Sequence, residues 1–590
     1  MLNRLIVLFK FSLLVFLYSG ISFAQAPVLP NGYAPWELDL KRCNIPYYSL
    51  NGIVTPPQSP VRASAEWEEI DALMVTWTSY IPIVRDIVKY AREECDVYIV
   101  CDDSNSVKSN LITNGISLEN IFYIQTAFNS IWIRDYGPWN IYKNNTDSLY
   151  LIDWVYNRPR PEDDAIPGVM AEYADLPIYQ TIDVPYDLVH TGGNFMTDGW
   201  GTGFSSKLIL DENDGYDFSL SAKSESEIDS IMLQFMGINR YIKMETLPYD
   251  EIHHIDMHLK LLDEETLLVG EYPEGVADGP QIEENLQYIL DNYNSVFGTP
   301  YKVVRIPMPP DFEDQYPDEG AGWNTGDYRT YTNCVFINKT VLVPVYEEQY
   351  DTTAIRILKA HLPGYNVVGI ECNDIIQSLG AIHCITKEIS TNDPLVITHQ
   401  PLADTENSSS DYVVNSWILH KDGIDVSTIF YSTDGINWLS SEMVLTDAAL
   451  NLWTGYIPAQ PMGSLVEYYI YAKANNGKEQ VRPITAPDGF WHFRVGEILA
   501  EISTDDFLDI AFNVYPNPVV DNLHFYASSD DFIELGFVIK DITGQIIYQQ
   551  PEIFGTDFNF NIPMQSFPSG NYLLQYYSGN TTATIKVVKL

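Results

Sequence analysis

Cys384 closes the stretch Gly380-Ala381-Ile382-His383-Cys384-Ile385-Thr386 after an apolar run, a setting in which cysteine is ordinarily a buried, inert small hydrophobe. To act as a nucleophile its sulfur must be held as the thiolate, which a protonated histidine beside it or a bound cation would do. Proton-transfer types are concentrated in Ile252-His253-His254-Ile255-Asp256-Met257-His258. Read as a strand, this run puts His254, Asp256 and His258 on one face and turns His253 away. That face suits a two-histidine, one-carboxylate metal cluster, a general base with a carboxylate neighbour, or plain structural histidines. Ile131-Trp132-Ile133-Arg134-Asp135-Tyr136-Gly137-Pro138-Trp139 passes from apolar residues into a charged pair and a Gly-Pro turn, which sets Asp135 at a strand end. Walled by Trp132, this carboxylate could hold a cation; the alternatives are pairing with Arg134 or capping the turn. The stretch from His190 to Ser206 carries five glycines that let backbone approach a ligand, without the G-x-G-x-x-G order of a dinucleotide loop.

The elements that must position these residues alternate. From about Glu66 to residue 392, ALMVTW, PIVRDIVKYAREE and DVYIV give a strand-helix-strand order that VLVPV, TAIRILKAHL and NVVGI repeat, the rhythm of an α/β domain. After Asn392 the chain changes to alternating strands parted by Asp-Gly and Asn-Gly turns (VVNSWILHKDG, VSTIFYSTDGINW, LWTGYIPAQ, VEYYIYAKANNGKEQ). Residues 393–497 therefore read as an all-β sandwich of about 100 residues, similar to an immunoglobulin-like accessory domain. Past a linker, residues 512–590 form a third, all-β module with strands NLHFYAS, LGFVIKD, QIIYQQ, YLLQYY and TIKVVK. At the other end, Arg4 and Lys10, the apolar Leu13 to Leu17 and the small Ser22 and Ala24 lay out a cleaved export signal over 1–24, followed by a Pro-rich pro-segment or linker over 25–62. Lys10 leaves an apolar run shorter than the ~20 residues a membrane-spanning helix needs.

The formal net charge of -47, from 80 acidic and 33 basic residues, argues against a nucleic-acid or anionic-membrane partner. It favours a cationic substrate, or simply keeps an exported protein soluble. The six cysteines (Cys43, Cys95, Cys101, Cys334, Cys372, Cys384) include no C-x-x-C pair and are too few for a disulfide framework in 590 residues, which leaves one free to be a working thiol.

In this order, W-x-R-D-Y, T-G-G-N-x-x-T-D-G, H-x-D, Y-T-N and I-H-C resemble the guanidine-modifying deiminase superfamily, in particular its bacterial peptidylarginine deiminases of Porphyromonas type and its agmatine deiminases, over about residues 63–392. The resemblance implies a five-bladed α/β propeller (pentein). It also implies the roles: Asp135 and Asp256 as guanidinium-binding carboxylates beside Trp132, His254 as general acid/base, Asn333 of Tyr331-Thr332-Asn333 as the active-site asparagine and Cys384 as nucleophile, with no metal, calcium or organic cofactor. Two carboxylates suit a guanidinium, which stays charged and whose planar fork must be stripped of water before sulfur can reach its carbon. In Asp153-Trp154-Val155-Tyr156-Asn157-Arg158-Pro159-Arg160-Pro161, Arg158 and Arg160 resemble a clamp for the carboxylate of a C-terminal arginine, a group agmatine lacks. Ile385 after Cys384 follows the agmatine type instead, and the acidic insert from Pro310 to Asp327 has no clear counterpart.

The last module resembles the type IX secretion sorting domain through Tyr515-Pro516-Asn517-Pro518, Asp541-Ile542-Thr543-Gly544 and Pro568-Ser569-Gly570-Asn571-Tyr572. The expectation is thus a secreted or outer-membrane surface deiminase of a Gram-negative bacterium, acting on arginine in peptides or proteins and preferring C-terminal arginine. Its partners would be those substrates and the type IX machinery. The rival substrate is agmatine or another small guanidine; rivals of other classes are a non-catalytic surface adhesin and a metal-dependent hydrolase using His254, Asp256 and His258.

Overall fold

A computed structural model describes residues 28–40, 52–496 and 510–589, apart from 217, 219, 321, 322, 516, 521, 542–544, 566, 579 and 580. The expected export signal, residues 41–51 of the expected pro-segment, Cys43 and most of the linker before the last module lie outside the described residues.

One supersecondary unit recurs five times between Trp139 and the return of the chain to its first sheet. A short strand pairs antiparallel with a longer one, and a helix then carries the chain to a parallel third strand. Trp139–Lys143, Leu149–Tyr156 and Ile178–Thr181 make one such unit, with helix Ile166–Ala174 in the crossover. Met196–Thr197, Thr202–Ser206 and Arg240–Met244 make the next, with helix Glu225–Met236. Leu259–Leu261, Thr266–Glu271 and Lys302–Pro307 follow with helix Gly279–Asn292, and Val335–Ile337, Thr340–Val345 and Asn366–Glu371 with helix Glu348–His361. The fifth joins the two ends of the module: Lys387–Ser390 pairs with Ile70–Thr76, which runs through helix Ile81–Ala91 to Asp96–Cys101. The predicted strands and helices around ALMVTW, PIVRDIVKYAREE, DVYIV, VLVPV, TAIRILKAHL and NVVGI are all present, and the module is mixed α/β.

Local sequence explains the units. Helix Ile81–Ala91 buries Ile83, Val84, Ile87, Val88 and Ala91, spaced three and four apart along one stripe. Helix Glu225–Met236 starts on a Ser224/Glu227 capping box and ends at Gly237, whose φ of 75° is the left-handed stop glycine supplies at little cost.

Residues 409–494, with Val396–Thr398 added at one edge, form two antiparallel sheets. One orders Val396–Thr398, Tyr412–Leu419, Leu452–Ile457 and Val444–Asp447; the other orders Leu439–Glu442, Ile424–Ser432, Leu465–Ala474 and Glu479–Arg482, with Trp491–Arg494 on Leu465–Ala474. Leu465–Ala474 alternates buried and outward residues without a break, the period-two pattern of a half-covered strand. These sheets and the residues up to 403 make one compact unit. At their junction Lys478 Nζ lies 2.7 Å and Gln480 Nε2 3.0 Å from Glu69, Arg482 Nη2 lies 3.0 Å from Glu264, and the Trp200 and Trp417 rings are 5.0 Å apart.

The second compact unit, residues 404–408 and 495–590, is all-β in its described part. Its strands are Ile510–Tyr515, Asn522–Asp541, Ile546–Pro563, Gly570–Ser578 and Thr581–Lys589. NLHFYAS and LGFVIKD, expected as separate strands, run together in Asn522–Asp541 with a shift of register between Ser528 and Ile533.

Candidate active site

Each recurring unit of the α/β module is entered through a turn just before its short first strand, and the five turns carry the chemistry. Asp135 sits in helix Ile133–Tyr136, Gly193 in the 3-10 turn Gly192–Asn194, Asp256 in the 3-10 turn Ile255–Met257, Asn333 two residues before Val335–Ile337, and Cys384 in the 3-10 turn His383–Ile385. This corrects two expectations. Asp135 lies in a helical turn rather than at a strand end, and His254 to His258 is not a strand but a 3-10 turn with His254 as its cap and His253 at φ 57°. His254 and Asp256 therefore come together by turn geometry, not by alternation. His258, beyond the turn, is buried and its ring is lowered to about 4 by that burial.

Cys384 has no exposed surface. Asn333 Nδ2 donates to its sulfur at 3.2 Å, and Asn333 Oδ1 accepts from the backbone N–H of His383 at 3.0 Å. One amide thus fixes both the thiol and the turn that presents it. Asp256 Oδ2 stands 3.7 Å from Cys384 Sγ. Across the cluster His254 Nδ1 is 3.5 Å from Asp135 Oδ1, which accepts from Gly193 N–H at 3.2 Å. Two glycines are required by close approach: a Cβ on Gly193 would lie 2.5 Å from His254 Nδ1, and one on Gly380 would lie 2.6 Å from the Trp132 ring and 3.1 Å from Cys384 Sγ. Trp132, read from the sequence as a wall beside Asp135, stands with Cys384 around Gly380.

Burial first, then the charges of Asp256 and Asp135, push the Cys384 thiol well above its usual value. Burial raises Asp135 to about 7, with the Asp256 charge adding to it and Arg158 opposing. Burial lowers the His254 ring to about 3, so it is neutral near pH 7. Asp256 goes the other way: burial would raise it, but the hydrogen bond and charge of His383 carry it below the usual range. Asp256 Oδ1 and both His254 ring nitrogens have no hydrogen-bond partner among the described residues. The arrangement offers acceptors for a cation, a neutral base and a sulfur within one buried cluster.

Sequence reasoning missed the support behind Asp256. His383 Nδ1 is 2.7 Å from Asp256 Oδ2, and His383 Nε2 is 3.0 Å from Glu66 Oε2. Glu66 in turn takes Lys260 Nζ at 2.6 Å. Arg134, considered as a partner for Asp135, instead binds Glu388 at 2.8 Å and the His383 carbonyl at 3.2 Å. His383 was visible only as the neighbour of Cys384, and nothing in its spacing told which way its ring would turn.

Arg158 and Arg160 are buried, and both are held by residues 28–40. Arg158 Nε donates to the Asn31 carbonyl at 3.0 Å and its guanidinium lies 4.4 Å from the Tyr33 ring centre. Arg160 Nε and Nη2 grip the two oxygens of Glu37 at 2.9 and 3.0 Å.

An α/β scaffold with a thiol, a histidine, an asparagine and two carboxylates on equivalent turns is of the guanidine-modifying deiminase class. Among similar sequences, a provisionally named agmatine deiminase of Mycoplasma mycoides subsp. mycoides is 24% identical over 378 residues, covering 57% of this chain and 98% of that protein. Among solved structures, a provisionally named agmatine deiminase superposes with a TM-score of 0.50 at 17% identity over 58% of this chain and 100% of that one, a likeness of fold. The agmatine deiminase of C. jejuni gives 0.46 at 20% identity over 56% and 96%. Residues 60–389 match the family model of the Porphyromonas-type peptidyl-arginine deiminases, and the chain belongs to that family. Residues 513–590 match the secretion system C-terminal sorting domain, which indicates a secreted or cell-surface protein.

Proposed function

We propose that the chain hydrolyses the guanidinium of arginine side chains in peptides to a urea, releasing ammonia, with Cys384 as nucleophile. The observation that carries this is the single buried cluster of Cys384 Sγ, Asn333 Nδ2 at 3.2 Å, Asp256 Oδ2 at 3.7 Å and the Asp135–His254 pair at 3.5 Å. Asp135 and Asp256 would take the guanidinium nitrogens, in keeping with the unpartnered Asp256 Oδ1. A cation between them reverses the field that keeps the thiol protonated, so Cys384 gives its proton to neutral His254 and the thiolate adds to the guanidinium carbon. His254 returns that proton to the departing nitrogen, ammonia leaves, and a positively charged thiouronium remains on Cys384. Water then loses a proton to His254 and adds to the same carbon, the C–S bond breaks, and the urea is released with the sulfur restored.

The test is ammonia release and citrulline-type mass change on an arginine peptide with the native chain and with Cys384→Ser. Turnover by the native chain and none by a folded Cys384→Ser is expected. Equal turnover by both overturns the reading. A second reading, a small guanidine such as agmatine as the substrate, is favoured by the engagement of Arg160 with Glu37 and by Ile385 after Cys384.

Five like units with their entry turns at one site support the arrangement of the sheets as a five-bladed propeller, and the paired sheets of residues 409–494 support an immunoglobulin-like sandwich. The C-terminal match supports export by the type IX machinery to the surface of a Gram-negative cell, and the acidity of the chain supports an arginine substrate over nucleic acid.

A further inference from the structure

Residues 28–40 lie on the rim of the thiol site. Trp132, whose ring walls Cys384, donates its Nε1–H to the Leu29 carbonyl at 2.9 Å. Asn31 donates its backbone N–H to Ser378 O at 2.9 Å and its side-chain amide to Leu379 O at 3.2 Å, one residue before Gly380. Arg158 bonds Asn31, and Arg160 Nη2 bonds the carbonyls of Pro30 and Gly32, each at 2.9 Å. Glu37 completes the set by meeting Arg160 through both oxygens, the two-pronged geometry in which arginine receives a free carboxylate. The pair is closed to water, with Arg160 1% and Glu37 3% exposed.

We infer that Glu37 decides the substrate class of this site, because it fills Arg160 with a carboxylate of the chain itself. With residues 28–40 docked, Arg160 has no charge to offer a peptide C-terminus, and Arg158 is covered by the Asn31 carbonyl and the Tyr33 ring of the same segment, which leaves the choice of guanidine to Asp135 and Asp256. When Glu37 releases Arg160, the site gains a receptor for the free carboxylate of a C-terminal arginine. The inference rests on the proposed deimination and specifies when its preference for C-terminal arginine is expressed.

Two observations favour exchange over a permanent seal. Cys384, Asn333 and His254 have no exposed surface, so a peptide reaches the sulfur only if part of this rim moves. The hold on residues 28–40 is also largely polar: Val28, Trp36, Leu38 and Leu40 turn outward with 41–56% of their surface exposed. An incoming carboxylate would replace the Glu37 contacts like for like, whereas burial of those apolar side chains would have no such substitute.

The experiment compares kcat/KM of the full chain on benzoyl-glycyl-arginine with a free carboxylate, on its C-terminal amide, and on agmatine. In the native chain the ratio of acid to amide is expected near unity. In E37Q it is expected to rise by about tenfold or more, the scale of a charge-assisted hydrogen bond. In E37Q/R160Q, which removes the receptor too, it should fall back to near unity. Turnover of the amide or of agmatine reports that each variant is folded. A native chain that already prefers the acid strongly, or an E37Q ratio that does not move while the amide is turned over, overturns the inference. No turnover of any of the three by the native chain refutes the proposed deimination instead.

Discussion

Replacing His383 by alanine tests whether Asp256 is kept ionised from behind. The ring stands 2.7 Å from Asp256 Oδ2, and its bond and charge offset the burial that would otherwise raise that carboxyl. A hydrogen bond to a charged group contributes about 1.5–3 kcal/mol. Its loss withdraws that stabilisation from the ionised carboxylate and moves Asp256 up. Asp256 has its lowered value in the folded chain, so its ionised form is present at neutral pH and is lost as pH falls; in the variant that loss begins at higher pH. Ammonia release followed across pH should therefore show, below the limb that Asp135 sets near pH 7, a second and steeper fall of kcat/KM that begins at higher pH than in the native chain, with the alkaline limb retained. Melting temperature read in parallel separates this from unfolding, since Glu66 loses its 3.0 Å partner as well. A variant whose rate falls equally at every pH, with that second fall in its native place, refutes a charge-holding role and leaves His383 a packing residue.

Two further outcomes follow from the same cluster. Asn333→Ala removes the 3.2 Å donor to Cys384 Sγ and the 3.0 Å acceptor for His383 N–H, and should lower kcat by about tenfold to a hundredfold with KM little changed, read from steady-state ammonia release. Asp135, raised to about 7 by burial and by Asp256, is uncharged below that pH, so KM for a cationic guanidine should climb as pH falls through about 7 and level off above it, a slope that Asp135→Asn abolishes.

The α/β alternation was legible because long strands such as Thr340–Val345 and helices such as Ile81–Ala91 carry periods that local sequence displays. The motifs were legible as residue types, and the structure does gather Asp135, His254, Asp256, Asn333 and Cys384. Their local shape was not. A run such as His253-His254-Ile255-Asp256 fits the strand period, yet it folds as a 3-10 turn because the chain must reverse before Leu259–Leu261. The fivefold recurrence of a turn followed by a short strand was in principle readable: the motifs at Asp135, Gly193, Asp256, Asn333 and Cys384 each precede one. It is obscured because those strands are only two to five residues long. The partners of Arg158 and Arg160 were out of reach, since Glu37 lies 123 positions from Arg160 and no local pattern couples them.

Glu66 and Glu69 are three positions apart, yet one ends at His383 and the other at Lys478 and Gln480. A single turn of chain thereby ties the reaction centre to the accessory sheets, and Glu264 makes a second tether through Arg482. Excising residues 409–494 would strand two carboxylates without their counter-charges and unload the backbone that aims Glu66. Removal of the accessory sheets is thus expected to lower the melting temperature of the α/β module, which thermal unfolding of the truncated and full chains would measure.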